Sequence, residues 1–420
     1  MINLKWFQFL KVKVPARLGG VTDVDEASEN PADAADLSQK DVNEIWKAVE
    51  ELYRSGAYPG LSFCLRRRGV VVLARSLGHA RGNGPLDSVR AEKQLLKTDD
   101  PICLYSASKA ITAVLTHMLA EEGEIDLDAP VARYIPEFGA AGKGQTTIAE
   151  VLSHRGGFPT LDLPVGDLDP KLLMDWDRIV KMICEAPPTP GRANRMSYHA
   201  VTGGFILAEI IQRVTGKPVQ AYLDKRIRKP LGMKYFQYGL DPQYRDQVAL
   251  NYAAGTPVRY PISKILERAL MAPMDRVIEV SNSDVFMDAV IPAANIYSTA
   301  EELSRFYQML LDGGIWNGKQ VMKQETVLRL VRPASGFSFD RTLNIPMRYS
   351  EGLMLGATPA GIYGPITADA YGHLGFMNIL GWADPSRDIS VGLLVTGKAV
   401  LGTHLIPLVK LMTSISLRCR

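Results

Sequence analysis

The sequence predicts an α+β fold in which one antiparallel sheet is flanked by helices and interrupted by a helical insertion. β-rich segments lie towards both ends of the chain, whereas prolines and helical patterns dominate residues 124–290. One sheet assembled from both ends is the simplest architecture that accounts for this order. We therefore predict an arm and linker (1–41), a sheet domain (42–123 and 291–420) and a mainly helical domain (124–290).

The first 41 residues are expected to lie outside the domains. Residues 1–17 mix aromatic and basic side chains without an uninterrupted apolar stretch, so a cleavable signal peptide is not expected. This composition fits an arm packed on the protein, which we favour, or a weak contact with an anionic membrane surface. Residues 21–41 are rich in Asp, Glu, Asn and Ala and are predicted to form an exposed linker or a loosely held arm.

The first part of the sheet domain is predicted to combine two helices with strands. Apolar residues at helical spacing predict a helix over 42–54. β-rich runs at 61–65 and 70–75 flank a turn signal and predict a hairpin. A further β-like run at 102–105 leads into a helix predicted over 110–121.

The rest of the chain supplies further helices and the remaining strands. Periodicity and capping residues predict helices over 176–184, 202–214, 298–312 and 401–417. Short strands are predicted at 349–355, 371–376, 378–383 and 389–396.

Composition and charge exclude several classes of function. Of the 420 residues, 48 are Lys or Arg and 45 are Asp or Glu, and this net charge of +3 is too small to indicate a nucleic-acid partner. No HExxH-like spacing, Walker loop, Rossmann glycine pattern or Gly-x-Ser-x-Gly elbow is present. We therefore expect neither a metal nor another cofactor, and no α/β-hydrolase site. No run is apolar enough for long enough to span a bilayer.

The four cysteines are widely separated, without a CxxC pair. This distribution indicates reduced, buried thiols rather than a disulfide framework. We accordingly expect a cytoplasmic protein, with peripheral membrane contact by residues 1–17 as the alternative. The oligomeric state is left open.

One tetrapeptide carries the elements of a nucleophilic site. In Ser106-Ala107-Ser108-Lys109, the only Ser-x-x-Lys of the chain, the spacing places Ser106 and Lys109 on one face of a helix start. A lysine with a lowered pKa can take the proton of a serine hydroxyl. A helix N-terminus also offers N–H groups to an oxyanion. On the motif alone, a capped helix start with an exposed lysine is an equal alternative.

Two later segments decide between these alternatives. Tyr198-His199-Ala200 follows Pro190-Gly191, and His373-Leu374-Gly375 leads into Trp382-Ala383-Asp384-Pro385. In this order and spacing, the three motifs resemble the class C β-lactamase and penicillin-binding-protein-like superfamily, and more closely its esterase branch, the family VIII carboxylesterases. The resemblance covers residues 42 to 400 and implies a β-lactamase/transpeptidase-like fold.

The resemblance implies a role for each motif. Ser106 would be the acylated nucleophile, Lys109 would assist its deprotonation, and Tyr198 would pass a proton between the serine and the leaving group. The strand that carries His373, Leu374 and Gly375 would bind the substrate. The backbone N–H groups of Ser106 and Phe376 would form the oxyanion hole.

Two departures from the family pattern narrow the substrate. Ala200 stands where relatives have the asparagine that binds a β-lactam side chain, and His373 stands where they have a carboxylate-binding lysine. A site that loses such donors loses the matching discrimination. We therefore predict inefficient β-lactamase activity, and we expect the apolar Leu374 and Phe376 to suit the acyl group of an ester.

Three histidines lie in or near the predicted site motifs. His373 lies next to the presumed oxyanion strand and is an even choice between a site role, orienting substrate or Tyr198, and a structural one. His199 is expected to lie in the core or on the surface and to have no role in the site. His154 is expected to make a structural hydrogen bond.

The sequence thus predicts a serine hydrolase of the carboxylesterase type (EC 3.1.1), with a small-molecule acyl substrate and no nucleic-acid partner. An acyltransferase, or a hydrolase of amides or D-amino-acid peptides, would use the same residues. A catalytically silent binding protein of the same fold is the alternative from another class. The retention of Ser106, Lys109 and Tyr198 argues against it.

Overall fold

The computed structural model describes residues 9–161, 170–191 and 194–420. Its helices are α1 Gln39–Arg54, α2 Ser108–Glu121, α3 Ile148–Leu152, α4 Trp176–Glu185, α5 Thr202–Thr215, α6 Val219–Leu223, α7 Ile262–Leu270, α8 Met274–Ser281, α9 Asp284–Asp288, α10 Ala300–Leu311, α11 Gln324–Val331 and α12 Leu405–Arg418. Its strands are β1 Thr22–Val24, β2 Gly60–Arg67, β3 Val70–Arg81, β4 Gln94–Leu95, β5 Ile102–Cys103, β6 Gln237–Tyr238, β7 Tyr252–Ala253, β8 Ile296–Ser298, β9 Ile315–Trp316, β10 Lys319–Gln320, β11 Ser338–Asp340, β12 Ile345–Met347, β13 Met354–Leu355, β14 Ala360–Gly361, β15 Gly364–Pro365, β16 Tyr371–Leu374, β17 Leu380–Asp384, β18 Ile389–Val395 and β19 Gly397–Lys398.

One antiparallel sheet is built from both ends of the chain, as predicted. Its strand order is β1-β3-β2-β18-β17-β16-β13, with β4 paired to β3. The join between the two ends is the pairing of β2 with β18, in which Cys64 lies opposite Gly392. The α+β prediction and its β-lactamase/transpeptidase-like form are therefore confirmed.

Helices cover both faces of this sheet. On β2, Cys64 contacts Ser304 of α10. The neighbouring residue Phe63 is paired with Arg75, whose guanidinium lies over the ring of Trp46 in α1. Because successive strand residues point to opposite faces, α10 and α1 lie on opposite sides of the sheet. Helix α12 packs beside α1.

The predicted hairpin forms with a two-residue turn. Arg68 and Gly69 both have positive φ, 52° and 75°, which is the backbone of the turn type that suits the twist of two antiparallel strands. The strands are longer than predicted, and β2 is buried along its whole length.

Residues 21–41 differ from the predicted exposed linker. Thr22–Val24 pairs with β3, and the carboxylate of Glu29 accepts hydrogen bonds from the Arg75 side chain at 2.6 and 2.7 Å. Ala35 and Leu37 are buried against the sheet. The acidic composition that suggests a linker instead supplies a specific partner for Arg75. Residues 10–12 of the arm are packed, with Val12 N–H donating to Gly56 O, whereas residues 1–8 lie outside the described residues.

Two predicted strands are interrupted by turns. Residues 349–355 fold back on themselves, because Ser350 N–H donates to Leu353 O and only Met354–Leu355 joins the sheet. The strand predicted over 371–376 ends at Leu374, since Met377 and Asn378 have positive φ and Gly375 N–H donates to Ile379 O. In the described residues, every helix is too short or too polar to cross a membrane.

All four cysteines, Cys64, Cys103, Cys184 and Cys419, are free and buried, as the sequence predicts. Burial raises the pKa of each thiol, to about 11 for Cys184 and about 12 for the other three.

Candidate active site

A strained turn presents Ser106 at the start of α2. Strand β5 is followed by a single 3₁₀ turn, Tyr105–Ala107, in which Tyr105 has φ of 47°. This conformation costs a non-glycine residue about 1–3 kcal/mol and persists only when surrounding contacts enforce it. Here the Tyr105 hydroxyl donates to Ser281 Oγ at 2.5 Å, and its ring packs on Phe376 with centroids 5.3 Å apart.

Lys109 lies one turn further along α2 and is in contact with Ser106. Its Nζ is 3.1 Å from Ser106 Oγ and 2.9 Å from the carbonyl oxygen of Ala293. It forms no ion pair within the described residues. Burial therefore lowers the pKa of Lys109 well below its usual value, because no carboxylate partner offsets the lost hydration of the ammonium. A neutral amine beside a serine hydroxyl can accept its proton.

Tyr198 completes the contact group that the sequence predicts. Ser106 is the polar neighbour of its hydroxyl, and Lys109 Nζ lies 4.9 Å from the centroid of its ring. Burial raises the pKa of Tyr198 above its usual range. The phenol is therefore neutral at physiological pH and holds a proton that it can donate.

Asp340 holds the Tyr198 segment in place, a role that sequence reasoning missed. Its fully buried carboxylate accepts hydrogen bonds from the backbone N–H groups of Tyr198 (3.2 Å), Thr342 (2.8 Å) and Leu343 (2.9 Å). The second oxygen accepts from the Tyr349 hydroxyl at 3.2 Å. The run Asp-Arg-Thr-Leu-Asn signals a turn after a β-rich stretch, but its link to Tyr198, 142 residues earlier in the chain, has no local signal.

Two histidines behind Tyr198 have structural partners. His154 Nδ1 accepts from the backbone N–H of His199 at 3.2 Å, which agrees with the structural role expected for His154. His199 Nε2 accepts from the backbone N–H of Phe158 at 3.3 Å, and its side chain lies in the core. Burial lowers the pKa of His199 to about 3 and that of His154 well below its usual value, so both rings are neutral.

His373 lies on the other side of Tyr198, with ring centroids 6.2 Å apart. Its Nδ1 is 2.6 Å from the carbonyl oxygen of Leu374, and a carbonyl accepts only from a protonated nitrogen, so Nε2 is the bare one. Among the described residues this buried Nε2 has no hydrogen-bond partner. Burial, and then the charge of Lys109, lower the pKa of His373 to about 3.

Gly375 allows the end of β16 to approach the nucleophile segment. A Cβ at this position would lie 2.4 Å from the carbonyl oxygen of Leu104, closer than real Cβ contacts allow. The glycine therefore brings Phe376 beside the turn that carries Ser106. Leu374 is placed differently from expectation, since it packs with Met196 and Tyr198 rather than along the cavity described next.

An apolar cavity of about 120 Å³ opens at Ser106. Tyr105, Ala200 and Phe376 contribute to its wall near the serine. The remainder is apolar and comes from the chain before β8: Leu161, Leu172, Leu173, Ile179, Val201, Phe205, Leu270, Met271, Val277, Val280, Phe286, Ile291 and Ala294. This volume corresponds to about four water molecules, or a chain of a few methylene groups.

Within the described ranges, no group of three or more His, Cys, Asp or Glu side chains is arranged to hold a metal ion.

Comparisons with known proteins identify the family. The family model described as Beta-lactamase matches residues 45–408. The Esterase/beta-lactamase LipL of Mycobacterium tuberculosis is 30% identical over 308 residues, which are 70% of this chain and 69% of that protein. A crystal structure of a family VIII carboxylesterase superposes with a TM-score of 0.76 at 25% identity, covering 91% of this chain and 99% of that one. A penicillin-binding-protein homologue from Caulobacter crescentus also gives 0.76 at 25% identity, covering 91% and 98%.

Proposed function

This chain belongs to the beta-lactamase family of serine hydrolases, and from that premise we propose that it cleaves small carboxylic esters through an acyl-enzyme on Ser106. One observation carries the proposal: a serine hydroxyl in contact with a buried lysine of lowered pKa opens into an apolar cavity. The first half of this arrangement supplies a nucleophile, and the second half selects an uncharged, apolar acyl group.

Acylation begins with proton transfer from Ser106 Oγ to the neutral Nζ of Lys109. The serine oxygen then attacks the ester carbonyl, and the negative charge develops on the former carbonyl oxygen. We assign the stabilisation of this oxyanion to the backbone N–H groups of Ser106 and Phe376. The partial positive charge at the N-terminus of α2 also stabilises the oxyanion.

Collapse of this intermediate breaks the bond to the leaving alcohol, which must receive a proton. We assign this donation to Tyr198, because its raised pKa keeps the hydroxyl protonated and because Ser106 is a polar neighbour of that hydroxyl. The proton on Lys109 then restores the phenol. Water repeats the sequence in the second half-reaction, which releases the carboxylic acid and regenerates Ser106.

The bare Nε2 of His373 provides a hydrogen-bond acceptor where the family's lysine provides a cation. A neutral acceptor does not pair with a substrate carboxylate, and Ala200 offers no amide to a β-lactam side chain. Both features support esters over β-lactam antibiotics. A chromogenic cephalosporin should accordingly be hydrolysed far more slowly than a short p-nitrophenyl ester.

An acyltransferase would use the same first half-reaction and differ only in the acceptor that replaces water. Adding an alcohol such as methanol to the ester assay distinguishes the two, because a transferase forms the methyl ester in preference to the free acid. An amide or D-peptide hydrolase would show turnover of the corresponding anilides at rates comparable with those of esters.

The test is covalent labelling with a fluorophosphonate probe, followed by peptide mass spectrometry and p-nitrophenyl ester kinetics. We expect the label on Ser106, and loss of both label and turnover in Ser106→Ala. A neighbouring matched control, Ser108→Ala, should keep the label, since the Ser108 hydroxyl accepts a hydrogen bond from the backbone N–H of Ile296 at 3.0 Å in the core. Label on another residue, or an unlabelled protein, would favour the binding-protein alternative.

A further inference from the structure

The C-terminal helix α12 has two apolar faces, and only one of them is covered. Leu411, Met412 and Ile415 are buried in the core. The opposite face carries Leu405, Ile406, Val409 and Leu417, which are 40%, 72%, 65% and 48% exposed, and which we call the exposed stripe.

The stripe runs along the helix, with the polar Thr413 between Val409 and Leu417. Leu405, Val409, Thr413 and Leu417 are each four residues apart, so they lie in one row along α12. Ile406 widens this row at its N-terminal end. Single exposed apolar residues need no explanation, but four of them on one face of a helix mark an interaction surface.

Basic residues gather at the N-terminal end of the stripe. The arm passes there, because Val12 N–H donates to Gly56 O, and Thr403, just before α12, donates to Ser55 O at 2.9 Å. Arg54 fixes the arm by donating to the carbonyl oxygen of Ala16 at 3.1 Å.

Four exposed cations result from this packing: Lys11, Lys13, Arg17 and Arg54. Within the part of the chain that the structure describes, none of the four forms an ion pair. Along the rest of the stripe the charges are balanced, since Lys410 pairs with Glu51 and Arg418 pairs with Asp41. The surface around the stripe is therefore apolar along its length and positive at one end.

We propose that the exposed stripe and its basic end form a docking surface for an anionic lipid membrane. Burial of apolar side chains at the headgroup boundary and attraction of cations to anionic lipids are the two contributions that hold an interfacial helix. The unpaired cations favour a bilayer of negative surface charge over a second copy of this chain. No residue of the stripe lines the cavity at Ser106, so docking leaves that cavity accessible.

The test is co-sedimentation of the full chain with vesicles of phosphatidylcholine alone or mixed with phosphatidylglycerol. We expect binding to the anionic vesicles and a loss of about tenfold or more in the double variant Ile406→Ser/Val409→Ser. The matched control Leu328→Ser, which removes a 60% exposed leucine from α11, should bind like the unmodified protein.

The charge contribution is measured with Lys11→Gln/Lys13→Gln. Removing each cation should weaken binding to anionic vesicles by about fivefold, with further weakening at higher salt. Turnover of a water-soluble ester should stay unchanged in all these variants, which separates this proposal from the proposed function.

Equal binding by the stripe variant and the unmodified protein would overturn the proposal, as would failure to bind anionic vesicles. Light scattering measures the oligomeric state of the unmodified protein and of the stripe variant. A dimer that becomes a monomer in Ile406→Ser/Val409→Ser would assign the stripe to self-association instead.

Discussion

The two sides of Ser106 are buried in different ways. On one side lie polar groups, Lys109, Tyr198 and His373, each desolvated and each held at a defined distance from a neighbour. On the other side the cavity wall is apolar and presents few hydrogen-bonding groups to a ligand. The polar side fixes where protons reside, whereas the apolar side fixes which acyl group fits. We therefore expect changes on the first side to affect the rate with every substrate and changes on the second to affect selectivity.

The largest expected effect is on the polar side, in Lys109→Met. Removing the proton acceptor should lower kcat for p-nitrophenyl esters by about 10²–10⁴-fold, the usual contribution of a general base. Steady-state kinetics with acetate and hexanoate esters measures this, and both should fall by the same factor. The matched control is Lys143→Met, which removes another buried lysine whose Nζ donates to Cys184 O, outside the site. If the control lost as much activity, the assignment of Lys109 would fail.

The next largest effect is expected in Asp340→Ala, which removes the carboxylate that holds the Tyr198 backbone in place. Loss of this acceptor frees the Tyr198 backbone, and small displacements of catalytic groups cost up to about 10²-fold in rate. The three N–H groups left without a partner should also lower the free energy of unfolding by about 1–3 kcal/mol.

Asp340→Asn keeps one acceptor oxygen and should recover most of the activity. Tyr349→Phe is the control, because it removes only the hydroxyl bonded to the second carboxylate oxygen. Equal kcat in Asp340→Ala and the unmodified enzyme, measured under conditions where both are folded, would show that Asp340 has no positioning role.

A smaller effect on kcat/KM is expected when the pH is lowered. Burial depresses the pKa of Lys109, so the reactive neutral amine is present above that lowered value and is lost as pH falls through it. Below it, kcat/KM should fall about tenfold per pH unit, and above it kcat/KM should reach a plateau well before pH 10. A pH profile that keeps rising through pH 10 would indicate an ordinary, hydrated lysine.

The smallest effect lies on the apolar side, in Ala200→Leu. Ala200 lines the cavity, and a larger side chain should reduce kcat/KM for the hexanoate ester by about tenfold, since one methylene group changes binding by a comparable factor. The acetate ester serves as the internal control and should change much less. An equal decrease of kcat/KM for both esters would mean that Ala200 helps to position the catalytic residues and does not select the acyl group.

The catalytic residues on the polar side of Ser106 are easier to predict from the sequence than the wall of the apolar cavity. Ser106 and Lys109 belong to one helical turn, and Tyr198 lies in a motif of its own, so local patterns and the family resemblance are sufficient to predict them as site residues. Asp340 meets Tyr198 only through the tertiary fold, and the cavity wall collects side chains from several helices and loops. The same distinction explains residues 21–41, whose acidic composition is compatible with a linker until Arg75 is brought beside Glu29.

The burial of all four native thiols has a practical consequence for spectroscopy. With pKa values raised to between about 11 and 12, these groups are protonated and shielded at neutral pH, and a maleimide should leave them unmodified in the native state. A cysteine introduced at Val409 would then be the single reactive site, without removal of any native residue. An environment-sensitive fluorophore attached there would report directly whether α12 leaves water when vesicles are added.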